Sequence, residues 1–273
     1  MSTLTLPGAD LYYEVTGRGV PIVLVHGLAL DARMWDEQVD ALRDIATVVR
    51  YDVRGFGRSP RLDNETPYTN VADLCALLDQ VGIDKAMLVG LSMGGGIALE
   101  AAVEAPVRVR ALALLDPYLD GVPWDEESVR GMRAIGEGLR AGGLAAAKDA
   151  WLAHPFFAAA GRRPDVVRRL RRMVDDYSGV QWTDHDPHGP HPDTRAMLHT
   201  IAVPTTVIVG ELDVPCFHEM ADVLVGEIAG ARRVVVPDAG HMVNMEAPGP
   251  VNDALRALIG SLDAGSSVTA AEH

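Results

Sequence analysis

The chain has 273 residues, 48 % of them hydrophobic and 23 % charged, with a formal net charge of −14 and two cysteines, Cys75 and Cys216. That length and composition predict a globular chain able to bury a sizeable core, and they exclude a disordered one. The acidic balance argues against nucleic acid and anionic membrane surfaces as partners. Two cysteines make no disulfide framework, which fits a reducing, cytoplasmic setting. Residues 1–8 lack the basic region and apolar run of a signal peptide. No apolar stretch reaches about 18 residues, so no transmembrane helix is expected.

In chain order, Leu11 to Val15 reads as a short strand. Pro21 to Val25 is a continuous apolar run, as in a strand covered on both faces. Gly27 ends it. Met34, Trp35, Val39 and Leu42 then recur at helical spacing, with Asp31 as N-cap. Ala46 to Tyr51 is another apolar strand, and 52–60 is a glycine-rich turn. Val71, Leu74, Leu77, Leu78 and Val81 mark a helix closed by Gly82, with Cys75 in its apolar pattern. Lys85 to Leu91 is a buried strand, Met93 to Glu104 a helix of small residues, and Val109 to Leu115 a further strand. The alternation predicts a mainly parallel sheet with helices on both faces.

The pattern then changes. Residues 119–200 lose the strand runs and carry helical stretches near Glu126–Arg140, Gly143–His154 and Pro164–Tyr177. We read them as a helical insertion over the sheet, between two parts of one core, 1–118 and 201–263. Strand–helix alternation returns with Pro204 to Val209, His218 to Ile228, Arg233 to Val236 and Val251 to Leu262. Residues 264–273, small and polar, read as a disordered tail.

The sharpest chemical signal is Gly90-Leu91-Ser92-Met93-Gly94, between a buried strand and a helix. Such a turn lifts the serine hydroxyl above the sheet, and small residues on either side let the backbone bend. A serine needs a base. His241 follows the last apolar strand in Asp238-Ala239-Gly240-His241-Met242, with a glycine before it. The base needs a carboxylate to fix its tautomer. Asp213 follows a strand in Gly210-Glu211-Leu212-Asp213, with Glu211 as nearest competitor. The two amides of an oxyanion hole would come from Met93 and, in the His26-Gly27-Leu28-Ala29 turn, from Leu28. His26 itself reads as structural.

These motifs, His26-Gly27, Asp52-x-Arg54-Gly55-x-Gly57-x-Ser59, Gly90-Leu91-Ser92-Met93-Gly94-Gly95, Gly210-Glu211-Leu212-Asp213 and Gly240-His241, resemble the α/β-hydrolase superfamily over nearly the whole chain. The order Ser, Asp, His is that family's. The elbow is most similar to the enol-lactonase, esterase and cofactor-free haloperoxidase branch. The resemblance implies an eight-stranded, mostly parallel sheet with a cap after the sixth strand, no cofactor, and hydrolysis of a small-molecule ester or lactone. It also offers Asp116 as an alternate acid, since some members place theirs there. Ser92 argues against epoxide hydrolases and haloalkane dehalogenases, which use Asp. Leu91 weakens a carbon–carbon bond hydrolase, which usually has Asn before the serine. The turn is His-Gly-Leu-Ala rather than a triple glycine, so Leu28 would project into the acyl pocket and favour less bulky groups. A haloperoxidase or perhydrolase, a lyase, and a binding scaffold without activity stay open.

Trp124, Trp151, Phe156, Trp182 and Met242 are candidates for the pocket lining. The loop 184–192 holds His185, His188 and His191, but three prolines break any helix that could align them on a metal. It reads as solvated, and no metal site is expected. Arg168, Arg169, Arg171 and Arg172 read as an exposed helix face. Oligomeric state is not legible.

Overall fold

Strands whose residues are apolar on both faces hold the centre of the sheet. The computed structural model describes residues 2–268. Eight strands are β1 (Ser2–Leu6), β2 (Ala9–Gly17), β3 (Val20–Val25), β4 (Ala46–Tyr51), β5 (Ala86–Leu91), β6 (Val109–Leu115), β7 (Thr205–Gly210) and β8 (Arg232–Val236). They lie in the order β1-β2-β4-β3-β5-β6-β7-β8. Every residue of β5 is buried, as a strand flanked by β3 and β6 and covered on both faces requires.

β1 and β2 form an antiparallel edge, and β2 pairs antiparallel with β4. All other pairs are parallel. The apolar pattern of the sequence does not mark β1. It is an edge element with no buried residue, so its sequence carries no apolar run. The antiparallel pair Leu6↔Ala9 closes it against β2.

Helices cover both faces. They are α1 (Asp36–Leu42), α2 (Asn70–Gln80), α3 (Met93–Glu104), α4 (Glu126–Leu152), α5 (Pro164–Asp176), α6 (Val180–Thr183), α7 (Thr194–Met197), α8 (Pro215–Glu227), α9 (Val243–Glu246) and α10 (Pro248–Val268). Asp31 caps a 3-10 turn, Ala32–Trp35, that leads into α1. Gly82 sits at φ +69 after α2, the left-handed stop expected of a C′ glycine. α4 to α7 lie between β6 and β7 in the chain. α4 breaks at Gly143 (φ 70, ψ −161), matching the two helical stretches read on either side of it. α10 continues through 264–268, where the sequence suggested a disordered tail; 269–273 lie outside the described residues. Among the described residues no helix is long and apolar enough to cross a membrane.

The register aligns the strand ends. Val25 pairs with Gly90, Leu91 with Leu115, and Gly210 with Val236. The turns that follow β3, β5, β6, β7 and β8 therefore emerge along one edge, the carboxyl edge where open α/β sheets bind ligands.

Candidate active site

The turn after β5 is built by steric exclusion. Ser92 has φ 54 and ψ −115, a strained conformation for a residue with a side chain. A Cβ on Gly90 would lie 2.1 Å from the Gly94 carbonyl oxygen, and one on Gly94 would lie 2.1 Å from that of Val25. Both positions are thus closed to anything larger than glycine. Hydrogen bonds pin the turn: Ser92 N–H donates to Leu115 O (3.0 Å), and Ser92 O accepts from Gly96 N–H (3.1 Å) and Tyr118 N–H (3.0 Å). Met93 opens α3, so its N–H has no partner within the helix.

His241 lies after β8 and is buried. Its Nδ1 is 2.9 Å from Asp213 Oδ2, so Nδ1–H donates to the carboxylate and Nε2 is left as the acceptor. Asp213 Oδ1 accepts from Val214 N–H (2.7 Å). A Cβ on Gly210 would meet the Gly240 carbonyl oxygen at 2.3 Å, so glycine at the end of β7 lets the acid turn and the histidine loop touch. Of the three acids weighed, Asp213 makes this bond. Glu211 instead accepts from Asp238 N–H (3.1 Å).

Asp116, after β6, is buried beside the pair. Its carboxylate, that of Asp213 and a His241 ring nitrogen present atoms within 4.8 Å of one another. Asp116 Oδ1 accepts from Gly210 N–H (2.9 Å). Burial, and then the negative charge of Asp213, push its pKa well above the carboxylate range. A neutral Asp116 leaves the negative charge on Asp213, where the imidazole can use it.

Glu246, which no motif marks, clamps the histidine loop. Its two oxygens accept from Gly240 N–H and Met242 N–H, each at 3.0 Å. Burial pushes its pKa up. Arg163 of the insertion reaches Glu246 (3.5 Å) and Asp238 (3.0 Å), tying the cap segment to the same loop. Only the spacing of an acid five residues after the histidine could have pointed to it.

His26 is structural, as read. Its Nδ1–H donates to Gly27 O (2.8 Å) and Nε2 accepts from Val53 N–H (2.9 Å). Burial lowers its pKa and keeps it neutral. Asp52 accepts from Ala32 N–H and Arg58 N–H, both at 2.8 Å, so the 52–59 motif frames the turn that carries Leu28.

Ser92, Leu28 and Met93 line a cavity of about 320 Å³. Trp124, Trp151 and Phe156 line it too, with Met132 and, from α8, Phe217. Phe156 and Phe217 also pack on the His241 ring, at 4.7 and 4.2 Å between centroids. Two of the candidate lining residues are elsewhere. Trp182 packs edge-on against Trp151 and Tyr177, so it supports the wall rather than forming it. Met242 is buried in the core, because the clamp on its N–H holds it inside the loop. Among the described residues no hydrogen bond joins the Ser92 hydroxyl to His241. Such bonds are often formed only once substrate is bound.

The histidine-rich loop is not simply solvated. Asp186 Oδ1 accepts from Arg61 Nη1 (2.8 Å) and Tyr68 Oη (2.9 Å). His188 Nε2 accepts from Asn70 N–H (3.3 Å). His191 stacks on His188 (4.3 Å) and its Nδ1 lies 2.7 Å from Glu100 Oε1. The prolines preclude a helix, but side chains strap the loop across the core. On α5, Arg169 pairs with Glu37, and Arg171 with Asp149 (3.1 Å). Both cysteines are free, Cys216 buried and Cys75 half-buried.

A mostly parallel sheet with a strained serine elbow and a buried His–Asp pair at one edge is the architecture of a hydrolase of the α/β class. A family model described as the alpha/beta hydrolase fold matches residues 20–248, and the chain belongs to that family. One curated relative, from Azorhizobium caulinodans, is provisionally named a carbamate hydrolase; it is 29 % identical, over 93 % of this chain and 97 % of its own. A thermophilic esterase from Thermogutta terrifontis superposes with a TM-score of 0.77 at 30 % identity, over 95 % of this chain and 97 % of that one. The enol-lactonase of Burkholderia xenovorans superposes with a TM-score of 0.77 at 29 % identity, over 95 % of this chain and all of that one.

Proposed function

We propose that the chain is a serine hydrolase that cleaves a carboxylic ester or lactone of a small-to-medium, largely apolar molecule. The observation that carries this reading is the Asp213–His241 bond, made beside aromatic residues that also wall the cavity holding the elbow serine. The esterase and lactonase among the structural neighbours support it.

Ser92 Oγ attacks the carbonyl carbon as the imidazole of His241 takes its proton through Nε2. The carbonyl electrons move onto oxygen, and the Leu28 and Met93 amides stabilise that charge. Asp213 stabilises the imidazolium. The intermediate collapses, the carbon–oxygen bond to the alcohol breaks, and the imidazolium protonates the leaving oxygen. In a lactone that alcohol stays tethered. Water, deprotonated by His241, then attacks the acyl-enzyme and regenerates Ser92.

Ser92→Ala is expected to lower kcat on p-nitrophenyl butyrate by about 10³-fold or more and to abolish labelling by a fluorophosphonate probe, with the thermal midpoint little changed. Undiminished turnover in that variant would sink the reading. A panel of esters, lactones and carbamates of matched size then ranks the bond type.

A further inference from the structure

The cavity is chemically two-ended, and its charged lining has one sign. Phe156 and Phe217 stand at the catalytic end, against the His241 ring, and Glu100, Asp120 and His191 also line the cavity. No lysine or arginine lines it among the described residues. On α3, Met93, Gly96, Ile97 and Glu100 share one helical face along the cavity. Glu100 is eight residues past Ser92, which at 1.5 Å per residue sets its backbone roughly 12 Å from the nucleophile.

Glu100 is held where it is. Its side chain is 15 % exposed and accepts from His191 on the strap. Asp120 is exposed, its Oδ1 accepting from Gly121 N–H (2.8 Å) and Tyr118 Oη (3.3 Å). A carboxylate entering this end would meet two like charges in a partly desolvated space, where Coulomb forces are stronger than in water. An ammonium or a neutral donor group would meet acceptors.

Resting on Ser92 as the nucleophile, we propose that this far end is an acidic specificity subsite. It takes substrates that end, beyond an apolar span, in a cationic or hydrogen-bond-donating group, and it rejects those ending in a carboxylate.

The chain's charge of −14 favours cations at any site, so the test removes charge locally. Binding of n-octylammonium, 1-octanol and octanoate is measured by calorimetry on the wild type, on Glu100→Gln/Asp120→Asn and on Asp40→Asn/Asp253→Asn. The last pair removes the same charge from side chains that are 74 % and 78 % exposed. The expected wild-type order is ammonium, then alcohol, then carboxylate, with at least tenfold between the ends. The spread should fall below threefold in the cavity variant and persist in the surface variant. Octanoate binding as tightly as octylammonium, or a spread that survives in the cavity variant, would overturn the proposal.

Turnover carries the same test into catalysis. Among the p-nitrophenyl esters of 8-aminooctanoate, octanoate and octanedioate, the discrimination should fall in KM more than in kcat. Undiminished turnover in Ser92→Ala, with the binding order intact, would refute the nucleophile assignment and leave the subsite standing. The reverse pattern would refute the subsite alone.

Discussion

The elbow and the insertion reach the same cavity by different physics. In the elbow the backbone decides. Gly90 and Gly94 each leave no room for a Cβ, and Ser92 sits at φ 54, so the residue types follow from steric exclusion. In the insertion the side chains decide. Trp151 packs against Phe156, Phe157 and Trp182, and many other apolar sets could do that work. The strap of residues 184–192 is held by Asp186, His188 and His191 on partners far away in the sequence. Backbone constraint leaves a local signature; long-range side-chain pairing does not.

That contrast can be pressed by substitution. Gly94→Ala should have the largest effect, costing about 3 kcal/mol or more and lowering the thermal midpoint by on the order of 10 °C. Calorimetry checks it, and an unchanged midpoint would mean that the elbow yields easily. Asp186→Ala should cost about 1–3 kcal/mol, because Arg61, only 2 % exposed, loses its ion-pair partner. KM should rise more than kcat falls, since the strap that carries His191 to the cavity loses one of its ties; denaturant titration and steady-state kinetics read the two parts.

His154 gives a smaller, pH-dependent effect. Its Nε2 lies 3.1 Å from Ser128 O and its Nδ1 accepts from Phe156 N–H, so the neutral ring is fully used. Burial lowers its pKa from 6.5 to about 4. The unfolded chain therefore binds more protons between those values, and stability falls as pH drops from 6.5 to about 4. The loss is about 1–3 kcal/mol, and Phe156, packed on this ring at 3.9 Å, should loosen with it. Urea midpoints at pH 7 and pH 4.5 should differ less in His154→Gln. Gly161→Ala, in the insertion with open space around its Cβ position, should change stability by no more than about 0.5 kcal/mol.

Legibility in the sequence followed the same division. The parallel strands and their helices were readable from apolar runs, because burial on both faces writes itself into every residue of β5. The serine, histidine and acid could be singled out because each follows a strand in a glycine-containing turn, and the structure joins the histidine to Asp213. β1 was invisible, since an exposed edge strand needs pairing rather than apolar residues. Glu246 and Phe217 were missed, because what they touch is set by the meeting of elements remote in the chain. Trp182 and Met242 were misplaced for a related reason. Composition marks a residue as buried without saying whether it faces a cavity or stands behind its wall.

Asp116 gives the acid position an unusual standing. Two carboxyl groups, from the turns after β6 and β7, crowd one imidazole, and burial beside a negative neighbour keeps a proton on one of them. Replacing Asp213 alone would also remove one of the two influences, burial being the larger, that raise the pKa of Asp116, so the remaining acid changes with it. A single substitution there measures the couple rather than the residue, and only a double-mutant cycle across positions 116 and 213 apportions the work between them.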